Sequence, residues 1–155
     1  MNKHIVCKIA FFFSLCLLVF SACSDDDNHN PAKPVIDLTE VGHENSKTGV
    51  AGSDLHLEGR ILADGVIRRI DIEICPQSGE GFKIEKSYSE GKYVGVKNTD
   101  FHEHLDIPAE TPAGAYRLRF AVTDEWGQMT VAETGLTIES TPVNMTIEPL
   151  TIVAE

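Results

Sequence analysis

The part of the sequence that we expect to fold lacks the cysteines for an internal disulfide. Three of the four cysteines, Cys7, Cys16 and Cys23, fall within the first 23 residues, and only Cys75 lies beyond them. A single thiol cannot form an intramolecular bridge. The fold must therefore rest on a hydrophobic core, and a chain of about 120 residues is long enough to build one without crosslinks.

Basic residues are scarce as well. The chain has 13 Lys and Arg against 24 Asp and Glu, which gives a formal net charge of −11. A surface this acidic repels polyanions, so it does not bind them through a general electrostatic field. We therefore exclude nucleic acid as a partner and expect cations, basic partners or neutral ligands.

Catalytic signatures are also missing. The sequence has no glycine-rich phosphate loop, no G-x-S-x-G turn and no H-E-x-x-H motif. The phrase FHEH at 101–104 places Glu103 between two histidines, but on a strand its side chain would point away from both. We expect a protein that is not an enzyme.

The first 22 residues have the layout of an export signal. A short basic start precedes the apolar run 9–20, which is shorter than the roughly 20 residues of a membrane-spanning helix. Ser21 and Ala22 then precede Cys23, an order that resembles the cleavage site of bacterial lipoproteins, although Phe20 replaces the usual aliphatic residue. We predict that residues 1–22 are removed and that Cys23 is lipidated. The alternative is an ordinary secretory signal with a chance cysteine.

An acidic segment follows the predicted anchor, formed by Ser24, Asp25, Asp26 and Asp27. It resembles the tag that sends lipoproteins of one group of Gram-negative bacteria to the outer face of the outer membrane. The resemblance implies a lipid-anchored protein facing the cell exterior, with outer-membrane lipid as its first partner. A simple spacer is the alternative, because like charges extend a chain. We assign residues 23–33 to a lipidated, acidic, flexible linker.

Beyond the linker, apolar and polar residues alternate with the period of two that indicates β-strands. Strands are predicted at 35–41, 55–61, 69–74, 82–88, 93–97, 101–107, 116–122 and 129–138. Turn residues separate them, and no amphipathic helix is predicted. We therefore predict an all-β fold over residues 34–140, an antiparallel two-sheet sandwich of the immunoglobulin or fibronectin III type. The alternative is another antiparallel sandwich or barrel, and residues 141–155 form a tail or an added edge strand.

The segment 107–116, IPAETPAGAY, is the best local evidence for this fold. It resembles the link between the fifth and sixth strands of immunoglobulin-like domains, with Tyr116 opening the sixth strand. In that position the Tyr116 hydroxyl would bond to the backbone of the preceding corner. The phrase VTDEWG at 122–127 resembles a hairpin common in bacterial modules of this kind.

Histidine is the residue type that points to a ligand. His102 and His104 stand two apart on one predicted strand, so their side chains share a face about 7 Å apart. The second and fifth strands of an immunoglobulin-like sandwich pair, which brings His56 beside them. Three imidazoles so placed can converge on one transition-metal ion. The alternative is an ordinary polar strand face that binds nothing.

Four further residues are candidates to support this metal site: His43, Glu58, Cys75 and Asp106. The two carboxylates lie on the same predicted faces as the histidines and could complete or orient the site. Cys75 is more simply a small apolar residue at the end of a strand. Imidazole and carboxylate ligands favour Zn²⁺, Cu²⁺ or Ni²⁺ over Ca²⁺.

Arg117 and Arg119 share one face of the predicted sixth strand. Asp71 and Glu73, on the neighbouring third strand, are the partners that we expect in surface charge pairs. Contact with an anion or a carbohydrate is the functional alternative for these arginines.

Four phrases together carry a resemblance to a known family: EVGH at 40–43, GSDLHLE at 52–58, NTDFHEHLDIPA at 98–109 and VTD at 122–124. The chain resembles a family of small surface lipoproteins of gut and oral anaerobes, defined by a domain of unknown function. Recurrent strand histidines in that family suggest metal binding. This chain departs from the pattern, since it has Cys75, Arg117 and Arg119 where the family often has histidine.

Two functions follow from these observations. The first is a non-enzymatic, lipid-anchored surface module that binds a transition-metal ion and serves an uptake receptor in the outer membrane. The second is an interaction or scaffold domain that docks on a protein or a glycan and binds no metal.

We predict that Cys23→Ala abolishes lipid labelling and membrane retention, because the acyl chains alone hold the protein at the membrane. Metabolic labelling with a fatty acid and fractionation of carbonate-washed membranes provide the measurement. Cys16→Ala, which changes a cysteine inside the signal, is the control and should leave both unchanged. Retention of the Cys23→Ala chain in the washed membranes would contradict the assignment.

Overall fold

Two β-sheets packed face to face make up residues 31–142, the part of the chain that this computed structural model describes. The strands are β1 (Val35–Val41), β2 (Thr48–Val50), β3 (Asp54–Leu62), β4 (Ile67–Pro76), β5 (Ile84–Tyr88), β6 (Asn98–Asp106), β7 (Gly114–Asp124) and β8 (Met129–Glu139), with a short 3₁₀ turn at His43–Asn45. The predicted signal, the lipidation site, the acidic segment and residues 143–155 of the tail lie outside the described residues. Residues 31–142 contain no helix that is long and apolar enough to cross a membrane.

The strand order is that of an immunoglobulin-like sandwich. One sheet has the order β1-β3-β6 and the other β2-β8-β7-β4-β5. Neighbouring strands are antiparallel, apart from the short β2, which runs parallel to β8. The all-β sandwich predicted from alternation is confirmed, including the pairing of β3 with β6.

Two short segments differ from the prediction. Residues 93–97 form turns rather than a strand, because Gly91 and Gly95 adopt positive φ angles of 88° and 79° on either side of the buried Tyr93. Strand β2 was not predicted, since the three residues Thr48–Val50 are too few to show an alternation.

The core lies between the inner faces of the two sheets. Phe101 from β6 meets Phe120 from β7 edge to face, with ring centroids 5.0 Å apart. Leu55, Leu57 and Ile61 occupy the inner positions of β3 and are almost completely buried. Because inner and outer positions alternate along a strand, burying these residues turns the intervening side chains of β3 outward.

The corner before β7 is closed as predicted. The Tyr116 hydroxyl donates a hydrogen bond to the Pro112 carbonyl oxygen at 2.8 Å, and the Tyr116 side chain is buried. In the hairpin that follows, the buried Asp124 carboxylate accepts hydrogen bonds from the backbone N–H groups of Trp126 and Gln128. Both contacts tie loops to the second sheet.

We expect Tyr116→Phe to lower the free energy of unfolding by about 1 kcal/mol, because the partly buried hydrogen bond to the Pro112 carbonyl is lost. The shift of the urea midpoint at constant slope measures the effect. Tyr88→Phe is the control, since it removes a tyrosine hydroxyl without breaking a hydrogen bond among residues 31–142. Equal midpoints for the Tyr116→Phe and wild-type proteins would disprove the role of this contact.

Candidate metal site

The three predicted histidines lie together on the outer face of the three-stranded sheet. In the antiparallel register of β3 and β6, His56 stands opposite His104 and Glu58 stands opposite His102. The inner positions of both strands belong to the core, so these side chains point away from it. The pairing thus joins residues that are almost 50 positions apart in the sequence.

The three imidazoles are close neighbours. The ring centroid of His56 lies 4.8 Å from that of His102 and 5.0 Å from that of His104, while the centroids of His102 and His104 are 5.7 Å apart. One potential ligand atom from each ring lies within 4.8 Å of the other two. The His56 side chain is only 19% exposed, whereas His102 and His104 are exposed to solvent.

The backbone explains why these rings approach one another. The N–H of His102 donates to the Tyr93 hydroxyl at 3.2 Å, and the same hydroxyl lies 2.6 Å from the His102 carbonyl oxygen. The backbone polar groups of His102 therefore face away from β3. In an antiparallel ladder such residues form the narrow, non-hydrogen-bonded pairs, with opposite Cα atoms about 4.5 Å apart instead of about 5.5 Å. His104, two residues on, stands in the same relation to His56.

Two carboxylates also lie close to His56, one on the neighbouring strand β1 and one on β3 itself. Its Nε2 atom lies 3.8 Å from Oε1 of Glu40 and 3.7 Å from Oε2 of Glu58. Glu40, His56 and Glu58 form a second group whose ligand atoms fall within 4.8 Å of one another. Glu58 was predicted to support the site, whereas Glu40 was missed.

A β-bulge in β1 places Glu40 on this face. The register against β3 shifts between Leu38 and Glu40, so that the extra residue Thr39 has no opposite partner. A bulge changes the face on which the following side chain lies. Two consecutive polar residues, Thr39 and Glu40, interrupt the alternation in the sequence, and this interruption was the available signal.

Asp54 is a second residue that sequence reasoning missed. Its Oδ2 atom is hydrogen-bonded to Nδ1 of His104, and this bond lowers the pKa of the Asp54 carboxyl below its ordinary value. The Nε2 atom of His104 is left available to a ligand. The signal in the sequence was its position two residues before His56, which puts both side chains on one face of β3.

Three of the predicted supporting residues do not reach the histidines. The side chain of His43 is 92% exposed on the 3₁₀ turn and lies beside Glu44. Cys75 is buried on β4, in the other sheet. Asp106 stands opposite Asp54 at the end of β6 and belongs to neither ligand group of the described residues. The two-residue period gave the face of Asp106 but not its distance from the rings.

Strand β7 neighbours β4 as predicted, and Arg119 stands opposite Glu73, but the ion pair of Arg119 is formed with another carboxylate. Arg119 pairs with Glu133 of β8 at 3.6 Å. The carboxylates predicted for it have nearer cations, Arg69 for Asp71 at 2.6 Å and Lys83 for Glu73 at 3.3 Å. On the second sheet, charge pairs therefore form within β4, between β4 and the loop before β5, and between β7 and β8.

Glu103 lies on β6, the edge strand of the three-stranded sheet, and its side chain is on the same face as the core residues Phe101 and Leu105. Its Oε1 atom lies 2.7 Å from the Tyr93 hydroxyl and 3.0 Å from Nζ of Lys92. Burial by itself raises the pKa of this carboxyl, but the hydrogen bonds from Tyr93 and Lys92 outweigh burial and leave the pKa below its ordinary value. An inward-pointing charge also protects an edge strand from pairing with other chains. The same tyrosine thus holds Glu103 and the backbone of His102.

The lowered pKa of the Glu103 carboxyl predicts that the free energy of unfolding depends on pH. A carboxyl with a lowered pKa in the folded state stabilises the fold above its unfolded pKa, and the contribution is lost as pH falls through the folded pKa. We expect Glu103→Gln to be less stable than wild type near neutral pH, and the difference to shrink below about pH 4.5, the ordinary value for Glu. Urea midpoints across this range measure it. A difference that stays constant with pH would show that the charge of Glu103 contributes nothing.

Comparison with known proteins gives distant structural neighbours and one family. A superoxide reductase (neelaredoxin) from Ignicoccus hospitalis has 10% identity and a TM-score of 0.40, covering 70% of this chain and 82% of that one. A DUF4466 family protein from Parabacteroides merdae has 12% identity and a TM-score of 0.48, covering 69% of this chain and 45% of that one. No curated protein matches the chain. The family model described as Domain of unknown function (DUF4625) matches residues 21–139, and the chain therefore belongs to this family.

Proposed function

We propose that this protein is a non-enzymatic, lipid-anchored module of the cell surface that binds one transition-metal ion through His56, His102 and His104. The proposal rests on a single observation, namely that one potential ligand atom from each of these rings lies within 4.8 Å of the others. Strand pairing, not flexible loops, sets this arrangement, since β3 and β6 position all three residues.

The distances allow a metal after small side-chain rotations. Zinc–nitrogen bonds of about 2.0–2.1 Å in tetrahedral geometry put ligand nitrogens roughly 3.3 Å apart. Each ring must therefore move by about an ångström or two toward a common centre. His102 and His104 are exposed, so their rings have room to move, although His104 must keep its hydrogen bond to Asp54. The less exposed His56 would provide the fixed ligand. Three imidazoles suit Zn²⁺, Cu²⁺ and Ni²⁺, while Ca²⁺ and Mg²⁺ prefer oxygen ligands.

The neighbouring carboxylates complete the environment of a cation. Asp54 holds His104 through Nδ1, the arrangement in which a carboxylate orients a ligating histidine and raises its basicity. Glu58 and Glu40 lie beside His56 and are candidates for a fourth ligand. Their negative charges also favour a divalent cation at this position.

Binding is favoured over catalysis by the position of the cluster. It lies on the outer face of a sheet, two of its rings are exposed, and most active sites instead lie in concave pockets that exclude water.

Attachment to the outer membrane, facing outward, is proposed from the sequence order of apolar run, Cys23 and acidic residues. At that location such a module would hold a metal ion for an uptake receptor.

We predict that calorimetric titration at about pH 7.5 gives one site per chain for Zn²⁺, Cu²⁺ or Ni²⁺, and that the double change His102→Ala and His104→Ala removes it. Both side chains lie outside the core, so the variant should keep its urea midpoint.

Metal ligands must be deprotonated, and binding should therefore weaken on acidification to about pH 5.5. Asp54→Asn should weaken binding about 10- to 100-fold, the usual effect of removing a carboxylate that orients a ligand.

His43→Ala is the matched control, because it removes an exposed histidine outside the cluster. It should leave the affinity unchanged. Absence of tight uptake by the wild-type protein, or uptake that survives the double change, would reject the metal site. The second hypothesis, a module that docks on a protein or a glycan, would then replace it.

A further inference from the structure

The large apolar side chains that are exposed in residues 31–142 gather at one end of the sandwich: Val35, Leu62, Val96, Trp126 and Met129. We call this set the apolar end. Single exposed apolar residues are common on protein surfaces, but their collection in one place marks a contact surface. Trp126 is 53% exposed and is also the only tryptophan of the chain.

Strand registers place these residues together. Val35 at the start of β1 stands opposite Leu62 at the end of β3. The loop that contains Val96 is bonded to both sides of the β3–β4 turn, since the Lys97 carbonyl accepts from Ala63 N–H and the Val96 carbonyl accepts from Ile67 N–H, both at 2.8 Å. Trp126 packs over Gly65 of the same turn, where even an added Cβ would come within 2.3 Å of the indole ring.

The β7–β8 hairpin brings in the remaining residue and the start of the described chain. Met129 opens β8 directly after the hairpin that carries Trp126. The side chain of Gln128 donates to the Pro31 carbonyl oxygen at 2.6 Å, and the Ala32 N–H donates to Asp64 Oδ2 at 2.9 Å. The polypeptide therefore enters the sandwich at the apolar end.

Pro31 is eight residues from Cys23 in the sequence. Eight residues span at most about 28 Å even when fully extended. An acyl chain on Cys23 would keep the apolar end within that distance of the bilayer and raise its effective concentration at the lipid surface. The opposite end of the sandwich would be held farther away.

We propose that the apolar end rests on the lipid surface to which the chain is anchored, with Trp126 in the interfacial region. This proposal depends on the lipid anchor of the proposed function but not on its metal site. Tryptophan suits the interface because its ring is apolar and its N–H can remain hydrated. Lys33, Arg68 and Lys97 are exposed near this end and offset the nearby carboxylates of Asp64, Asp124 and Glu125, so the end does not share the acidity of the whole chain.

The orientation has a consequence for the histidine cluster. His56 and Leu62 are six residues apart on β3 and lie on the same face, a separation of about 20 Å along an extended strand. With Leu62 at the membrane, His56 would lie about 20 Å from it, and His102 and His104 lie beside His56. A soluble ligand or a receptor could then reach them.

The test uses Trp126 as its own probe. The full chain is expressed with its signal, purified from membranes and reconstituted into phosphatidylethanolamine–phosphatidylglycerol vesicles that contain a brominated lipid. We expect the bromine to quench Trp126 emission at least twofold relative to vesicles without brominated lipid. The emission maximum should also lie at a shorter wavelength than that of the protein in buffer without vesicles. The control is the double variant Trp126→Phe and Ala109→Trp, which moves the probe to an exposed position beyond the far end of β6 and should show neither change.

Mass spectrometry of the purified chain separates the two levels of the proposal. A chain without acyl groups on Cys23 overturns the anchor and, with it, this orientation. If the chain is acylated but the lipid quenches Trp126 no more than the tryptophan of the control variant, the anchor stands and the docking of the apolar end is rejected. Shielding of Trp126 from aqueous acrylamide that rises with protein density, without quenching by the brominated lipid, shows that a second copy covers the apolar end and also rejects docking on lipid.

Discussion

The antiparallel pairing of β3 with β6 is the interaction on which both faces of the three-stranded sheet depend. Its register sets His56 against His104 and Glu58 against His102, and it places Phe101 and Leu57 toward the core. A slip of one residue would exchange the two faces, burying imidazoles and exposing Phe101. The apolar core therefore enforces the register that assembles the histidine cluster, and the cluster needs no support from loops.

The edge of this pairing has its own support. Strand β6 has no neighbour beyond β3 among the described strands, and Tyr93 lies against the edge at His102. Tyr93 packs on Phe101, with ring centroids 4.7 Å apart, and bonds to Glu103. One buried tyrosine thus connects the aromatic core, a charged group at the sheet edge and the backbone of a candidate ligand. The position of His102 is consequently coupled to core packing.

The two ends of the sandwich differ in chemistry. Histidines and carboxylates occupy the end where β3 begins, and exposed apolar residues occupy the end where it finishes. Arg60 and Asp100, which pair at 3.3 Å, lie between them on the outer face. Such a polarity along one sheet suits a domain that is held at one end and presents the other, because each end can satisfy a different environment without disturbing the shared core.

The alternation of apolar residues was sufficient to predict the sandwich, seven of its eight described strands and the shared face of His102 and His104, because a period of two is a local property of the chain. The same was true of Tyr116, whose bond to Pro112 lies within one corner. The tertiary structure decided the rest. Glu40 joined the site through a bulge defined only by its pairing with β3, and Asp54 through a contact to His104, fifty residues away. Three predicted supporting residues lie outside the cluster for the same reason: His43, Cys75 and Asp106. Distances between strands are set by register and packing, which no local pattern contains.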